Sequence, residues 1–457
     1  MAQLLRTLRL QDLVMLIVGA VIGSGIFLVP AEILRQTHNS VGVASLVWIA
    51  GGLLSILGAL TYGELAAMKP ETGGLYVYVR DGFGPLAAFL YGWATFIAIA
   101  SGSIASLAVA FSSYLSAIVP LSPVAEKVVA VAVIAFLTAV NVWGTRKSSD
   151  LQNWTTLIKL VMIVGLCAAL LFLGRGYYSM AHSLWTEPLS GSLLSRFGIA
   201  MIAVLWAYEG WQFATYSAGE VIDPEKNFPR ALLASVLFLA GIYLLANLGY
   251  LAALGPARAA NSETIAAAAT SAVLGSSASK VIALIIMISV FSGLNSIPLT
   301  APRIFYAMAK DGIFFHKLAE VHPRFHTPAV AIIALGAWSA VLALMGKFQQ
   351  LISYAMFVAW IFYGLGAAAI FVYRRKFPDM PRPYRVPGYP WTPLLFVAVA
   401  FALVVNVIAS SPKSSLLALS FVAAGLPAYL IWSTKRPVTH GSSANSAIAE
   451  DVSSQIR

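Results

Sequence analysis

Residues 19–27, inside the first long apolar run, read Gly-Ala-Val-Ile-Gly-Ser-Gly-Ile-Phe. A glycine costs roughly 1 kcal/mol relative to alanine in a helix interior, and it lets the backbone leave helical geometry. Backbone that unwinds at membrane depth is tolerated only where it is buried in protein or lines a cavity. The run therefore predicts either a close helix–helix contact through small residues or a broken helix whose freed backbone groups face a ligand.

A second candidate break lies near the middle of the sixth apolar run, where Glu209 and Gly210 stand between Tyr208 and Trp211. An ionisable side chain inside a span faces a cavity or a partner by default. The alternative is a carboxyl group that is hydrogen-bonded within the helix bundle. Glycine-interrupted segments in two halves of a chain indicate the substrate site of a transporter built from inverted repeats.

Two such breaks define the chemistry of the ligand. The N-terminus of a half-helix presents free amides and a positive dipole end, which favour a carboxylate. Freed carbonyl oxygens facing the same cavity accept hydrogen bonds from an ammonium group. A site built from both is complementary to a zwitterion, so the pattern predicts an α-amino acid as the ligand.

Lys159 is a further ionisable residue inside an apolar run, about two helical turns beyond the start of the fifth run. Lysine side chains can snorkel to the membrane surface. Roughly 12 Å of helix, at 1.5 Å per residue, is more than the side chain comfortably spans. We therefore expect a functional position at depth, with a snorkelling or structural lysine as the alternative.

The composition places these residues in a membrane. Of 457 residues, 59% are hydrophobic and only 10% are charged, whereas a soluble globular chain carries roughly 25% charged residues. The single cysteine, Cys167, leaves no internal disulfide and no cysteine zinc site. His316, His322 and His326 do not share one helix face, so no metal site is expected. Neither catalytic residues nor a cofactor site are predicted, and an enzyme is not expected.

Twelve apolar runs are long enough to cross about 30 Å of hydrocarbon. They cover residues 12–36, 42–67, 85–118, 126–144, 152–174, 195–218, 229–254, 278–309, 329–346, 350–373, 391–410 and 415–433. Lysine and arginine are concentrated in alternate loops, which places both termini in the cytoplasm. The net charge of +11 is therefore mostly an orientation signal, and no nucleic-acid partner is expected.

A channel or a non-transporting membrane sensor is the competing class of protein. A channel requires a continuous polar stripe or a ring of charge in several spans. The polar positions read from the sequence stand isolated, so a transporter is favoured.

Five motifs resemble the L-amino acid transporter family of the amino acid–polyamine–organocation superfamily, over about residues 10–435. They are residues 23–27 in span one, 70–76 in the next loop, 207–211 in span six, 220–231 after span six and 293–303 in span eight. The resemblance implies an all-α polytopic membrane protein with twelve transmembrane helices and the LeuT-type arrangement of two five-helix inverted repeats, in which helices 1 and 6 are broken.

Together with the apolar runs and the placement of charge, the resemblance gives boundaries and a location. A cytoplasmic N-terminus over residues 1–11 precedes the first repeat, residues 12–174. The second repeat covers residues 195–373, two further spans lie within 391–433, and residues 434–457 form a disordered cytoplasmic tail. The expected location is the cell membrane of a bacterium, the inner membrane.

The substrate site follows by the same resemblance. The amides of Ser24 and Gly25 would hold the substrate carboxylate, and Gly23 would help the unwinding. The carbonyl of Val21 would hold the α-amino group from span one.

In span six, the carbonyls of Trp206 and Glu209 would hold the same amino group. The Trp206 ring would close over the substrate from outside, and Tyr208 and Gly210 complete the unwound segment. Position 209 departs from the family, where close relatives often have a small residue or Asp, which bears on the substrate side chains admitted.

Lys159 matches a span-five lysine of sodium-independent relatives. Its ammonium would take the position of a sodium ion between spans one and eight, near Gly19 and Ser292. The resemblance favours sodium-independent exchange of small or medium neutral L-amino acids. A proton-coupled symporter that uses Lys159 remains the alternative. The loop of residues 119–123 lacks the cysteine that links animal members to a glycoprotein, so no disulfide-linked heavy subunit is expected.

Overall fold

The computed structural model describes residues 3–186, 190–275, 278–345 and 348–433. The described part is helical, with one isolated β-bridge between Leu8 and Val221. In chain order the α-helices are α1 Leu10–Val21, α2 Gly25–Gln36, α3 Val41–Met68, α4 Leu75–Phe83, α5 Pro85–Ala94, α6 Ala100–Ser116, α7 Pro123–Trp143, α8 Thr145–Leu173, α9 Tyr177–His182, α10 Gly191–Ala207, α11 Pro224–Leu254, α12 Pro256–Ala260, α13 Ile265–Leu274, α14 Ser279–Thr300, α15 Pro302–Lys310, α16 Ala329–Met345, α17 Phe348–Lys376, α18 Trp391–Ser410, α19 Pro412–Ala423 and α20 Gly425–Ser433. A π-helix covers Thr95–Ile99, and 3₁₀-helices cover Trp211–Glu220 and His316–Ala319.

The helical structure is compatible with a lipid environment. A helix satisfies its own backbone hydrogen bonds, which hydrocarbon cannot do. Ten helical segments of the described residues are long and apolar enough to span a membrane, or eleven if the bent pair α1–α2 is one span. The run predicted over residues 329–346 forms α16, an apolar helix of 17 residues. The chain is a multi-pass membrane protein, while the count of twelve spans stays a prediction.

Both predicted interruptions are present. α1 ends at Val21 and α2 begins at Gly25, with the two axes bent by 49°. α10 ends at Ala207, and a tighter 3₁₀-helix begins at Trp211. The repeat boundaries stay predictions, and the predicted tail over residues 434–457 lies outside the described part of the chain.

The helix α1 lies at the centre of the bundle and packs against α8, α11 and α14. Its side chains Leu13, Ile17 and Val18 are fully buried, so the helix has no broad lipid-facing stripe. Its break is therefore surrounded by protein, as irregular backbone at membrane depth requires.

A buried ion pair ties α15 to the segment after the second break. Arg303 donates from Nε to Glu220 Oε1 at 2.6 Å and from Nη2 to Glu220 Oε2 at 3.0 Å. Thr145 at the start of α8 donates to Glu220 Oε2 at 2.6 Å and accepts from Arg303 Nη2 at 2.8 Å. Glu220 and Arg303, which belong to two different motifs of the sequence, are both fully buried.

We predict that Arg303→Met destabilises the fold by about 3–5 kcal/mol, because it leaves the Glu220 carboxylate buried without a counter-charge. Cys167 is the single cysteine and is buried, so the reaction of a thiol-reactive dye with Cys167 reports thermal unfolding. The double variant Arg303→Met/Glu220→Gln should recover most of the lost stability. A single variant as stable as the wild type would contradict the role of the pair.

Candidate substrate site

The break after α1 frees the carbonyl oxygens at the end of this helix, among them those of Gly19 and Ile22. The amide of Ile22 still donates to Val18, but the Gly23 amide turns back to the Val21 oxygen at 2.9 Å. The Gly19 oxygen, which a continuous helix would pair with the Gly23 amide, is left without its helical donor. The Ile22 oxygen loses its donor in the same way, because the chain bends before the next turn.

Lys159 satisfies both of these oxygens. Its Nζ donates to Gly19 O at 2.8 Å and to Ile22 O at 2.7 Å, and the side chain is fully buried. Ser289 on α14 donates to the same Ile22 oxygen at 2.9 Å. Lys159 thus joins α8 to the break of α1, and α14 reaches the break through a hydroxyl group. Lys159 forms no ion pair with a carboxylate of the described residues.

Ser292, which the resemblance placed beside Lys159, lies in a neighbouring hydrogen-bond network. Gln152 Nε2 donates to Ser292 Oγ at 3.2 Å, and the hydroxyls of Thr156 and Ser292 are 3.0 Å apart. A Cβ at Gly19 would collide with the Gln152 and Thr156 side chains and lie 3.0 Å from Ser292 Oγ. A side chain at position 19 would therefore displace this network, because α1, α8 and α14 meet there.

This network belongs to a polar stripe that the sequence analysis missed. Ser148, Gln152, Thr156 and Lys159 are spaced four, four and three residues apart on α8, and such a spacing puts side chains on one helix face. Asn295 on α14 donates from Nδ2 to Gln152 Oε1 at 2.9 Å. The spacing was visible in the sequence, but the stripe is buried between helices and hydrogen-bonded across them, unlike the lining of a channel.

The second break is organised by Gly210, which has a φ of +120°. Glycine adopts such a backbone angle without the steric cost that a side chain brings. A Cβ there would also lie 3.2 Å from the backbone carbon of Ala20. The Gly210 amide donates to Gln212 Oε1 at 3.3 Å, and the Glu209 amide donates to Trp206 O at 3.2 Å.

Tyr243 on α11 connects the two breaks, and nothing in the sequence singled it out. Its hydroxyl lies 3.0 Å from Val21 O and 2.8 Å from Ala207 O, the last carbonyls of α1 and α10. Gly25 adds a second connection, since a Cβ there would lie 3.0 Å from the Cα of Ala207. The two broken helices therefore adjoin each other, and the small-residue contact considered for residues 19–27 exists together with the break.

The backbone groups predicted to bind a substrate differ in whether they already have hydrogen-bond partners. The amides of Ser24 and Gly25 lie at the N-terminus of α2, where no helical carbonyl precedes them as an acceptor. The Val21 oxygen is engaged by both Tyr243 and the Gly23 amide, which occupy its two lone pairs. In this conformation an ammonium group must displace one of them.

Side chains at the second break leave polar atoms without partners. Tyr363 on α17 donates to Glu209 Oε1 at 2.8 Å, while Glu209 Oε2 and Gln212 Nε2 are buried and have no hydrogen-bond partner in the described chain. Buried polar groups in this state are costly, and a polar ligand or water would satisfy them. The Trp206 side chain is exposed, and Tyr208 is buried.

Two adjoining broken helices inside a bundle of membrane-spanning helices define a multi-pass membrane transporter. The chain matches the family described as "Amino acid permease" over residues 8–429. It belongs to this family, within the L-amino acid transporter branch of the amino acid–polyamine–organocation superfamily. The protein is therefore a transporter and not an enzyme.

The chain is similar to three curated transporters. It is 32% identical to the serine/threonine exchanger SteT of Bacillus subtilis (strain 168), over 91% of this chain and 94% of the relative. It is 31% identical to the b(0,+)-type amino acid transporter 1 of Mus musculus, over 93% and 89%. It is 32% identical to the large neutral amino acids transporter small subunit 2 of Homo sapiens, over 91% and 78%.

We predict that Tyr243→Phe lowers the thermal stability, because it removes the one hydroxyl proton that the buried Val21 and Ala207 carbonyls share, a loss of about 1–3 kcal/mol. The midpoint of Cys167 labelling on heating measures this change. Tyr78→Phe is the matched control, since the buried Tyr78 hydroxyl has no hydrogen-bond partner in the described chain. Equal midpoints for the two variants would show that Tyr243 does not hold the breaks together.

We predict that Gly25→Val abolishes amino acid binding while the protein still folds and inserts, because the new side chain forces α2 away from Ala207. Stabilisation of the purified protein by each common amino acid measures binding. Gly165→Val is the control, since Gly165 is an exposed glycine on α8 outside the breaks and a Cβ there meets nothing within 4 Å, and it should still bind. Unchanged binding by Gly25→Val would place the substrate elsewhere.

Proposed function

We propose that this protein is a sodium-independent exchanger of small or medium neutral L-amino acids, which works by alternating access. The unwound segments of spans one and six hold the substrate in this proposal. The amides of Ser24 and Gly25 bind the carboxylate, and carbonyls at the second break bind the amino group. The unpaired Glu209 and Gln212 atoms support a polar ligand at this position.

The observation that carries the proposal is the contact of Lys159 with the Gly19 and Ile22 oxygens. Carbonyl oxygens freed by a broken helix are suitable ligands for a sodium ion. Here the Lys159 nitrogen takes the place of such an ion. Sodium is then not needed to hold α1, α8 and α14 together.

A proton-coupled symporter is the second candidate, favoured by the same lysine. Lys159 contacts two carbonyls, and a neutral amine has enough N–H donors for both of them. The protonation state can therefore change without loss of either hydrogen bond, as a proton carrier requires. Sodium independence is common to both candidates, and the driving gradient separates them.

We also propose an architecture of two five-helix repeats. Each proposed half, residues 12–174 and 195–373, begins with a broken helix, which supports a five-helix inverted repeat followed by two further spans within 391–433. We also propose twelve spans, cytoplasmic termini and a location in the bacterial inner membrane. Cys167 lies buried within α8, which supports transport without a disulfide-linked heavy subunit.

The substrate class rests on the relatives. One is named a serine/threonine exchanger and another a transporter of large neutral amino acids. The substrates named for these relatives differ, so side chains in the site must select among neutral amino acids. We expect Glu209 and Gln212 to do this.

The test is uptake of labelled amino acids into proteoliposomes. We expect uptake to require an unlabelled amino acid inside, and to be unchanged when sodium is replaced by choline. Uptake that ignores the internal amino acid but follows an imposed pH gradient would establish the symporter instead. Uptake that requires sodium would contradict both candidates.

We predict that Lys159→Ala abolishes transport under either coupling, because the Gly19 and Ile22 oxygens lose their donor and the break loses its support. Lys147→Ala is the matched control on α8, since Lys147 is exposed and lies over the Trp143 ring. Both variants are reconstituted at equal protein content before uptake is measured. Full transport by Lys159→Ala would remove the proposed role.

A further inference from the structure

An apolar cavity of about 230 Å³ lies between helices α6, α16, α17 and α19, beside the π-helix Thr95–Ile99. Its walls are made only of aliphatic, aromatic, methionine and glycine residues, among them Ala98, Gly102, Trp338, Met345, Val358 and Phe421. The cavity shares no lining residue with the two breaks, so its contents are independent of the proposed substrate.

The Ile97 carbonyl of the π-helix, beside the cavity, already has a hydrogen-bond donor. The π-helix interrupts the regular hydrogen-bond ladder of the helix, and such a bulge leaves backbone carbonyls in need of donors. Trp338 Nε1 on α16 donates to the Ile97 oxygen at 3.1 Å. Once this oxygen is satisfied, the cavity offers no group that would retain water.

A cavity of this kind attracts an apolar occupant. Water needs polar partners to enter a buried cavity, and an engineered apolar cavity of about 150 Å³ stays dry and binds benzene or xenon. An empty cavity also deprives its wall atoms of dispersion contacts. The cavity described here is larger, so an apolar group inside it would gain contacts from four helices.

The opening of the cavity indicates the source of its apolar occupant. Met345 is 68% exposed and Phe421 is 44% exposed at its edge. Met345 ends the apolar helix α16, and Phe421 lies within the membrane-spanning segment Pro412–Trp432. The medium at this surface of a multi-pass membrane protein is the hydrocarbon of the bilayer.

We propose that the cavity binds one acyl chain of a bilayer phospholipid. The chain enters past Met345 and Phe421 and fills the space that side chains leave between α6 and α17. Through Val358 it supports the face of α17 that also carries Phe362, whose ring lies 5.3 Å from the Tyr91 ring. The occupant thus packs against α17, the helix whose Tyr363 donates to Glu209.

Gly102 provides the variant for a test, because a Cβ at this position meets nothing within 4 Å although the residue lines the cavity. Gly102→Leu should project a side chain into the cavity and obstruct an acyl chain. Gly241→Leu is the matched control, since Gly241 is an exposed glycine within the spanning helix α11 and its Cβ also meets nothing within 4 Å.

The experiment uses full-length protein in vesicles of phosphatidylethanolamine and phosphatidylglycerol that contain a phospholipid with a photoreactive diazirine in its acyl chain. We expect peptides with Trp338 and Met345 to be cross-linked in the wild type and in Gly241→Leu, and this labelling to be lost in Gly102→Leu. Equal labelling of Gly102→Leu, or no label on the cavity walls of the wild type, would overturn the proposal.

Thermal stability gives a second readout that does not depend on labelling. Extensive delipidation in detergent should lower the unfolding midpoint of the wild type, and added phospholipid should restore it. Gly102→Leu should lose this dependence while keeping a cooperative transition, because its own side chain replaces the acyl chain. A lipid dependence equal to that of the wild type would contradict the assignment of the cavity.

Discussion

The arrangement of the two breaks depends on hydrogen-bond donors for the carbonyl oxygens that are freed inside the membrane. A helix can stop at membrane depth only if its unpaired backbone groups are satisfied, because hydrocarbon offers no hydrogen bonds. Lys159 meets this requirement for Gly19 and Ile22, and it does so from a neighbouring helix. The break of α1 is therefore a tertiary feature, since its stability is supplied by α8 and α14.

The same constraint explains why the two breaks lie together. Tyr243 contacts the terminal carbonyls of both α1 and α10. Glycine at positions 25 and 210 lets each break approach the other broken helix. Neither break could be satisfied in this way alone. A movement of one broken helix must therefore exchange hydrogen bonds with the other, which couples the two segments mechanically.

The features predicted from the sequence are those with a local cause. Glycine at positions 23, 25 and 210 marks the breaks because backbone freedom belongs to the residue itself, and the depth of Lys159 follows from its distance along the helix. The partners could not be predicted, since Tyr243 and Ser289 look ordinary in their own helices and act through tertiary contacts. Ser289 shares the Ile22 oxygen with Lys159, one turn away from the Ser292 that the resemblance indicated. The polar stripe on α8 was predictable in principle, because its spacing follows one helix face.

Unpaired polar groups at the second break give a physical basis for the proposed exchange. Glu209 Oε2 and Gln212 Nε2 are buried without partners, and their desolvation costs free energy for as long as the site is closed and empty. A bound substrate that hydrogen-bonds to them removes this cost, so a site closed around substrate avoids a desolvation cost that the same site has when it is closed and empty. Such a difference in affinity between states is what a ligand needs in order to shift a conformational equilibrium. A transporter that crosses the closed state only with substrate bound must return with substrate bound, and this is the requirement for exchange.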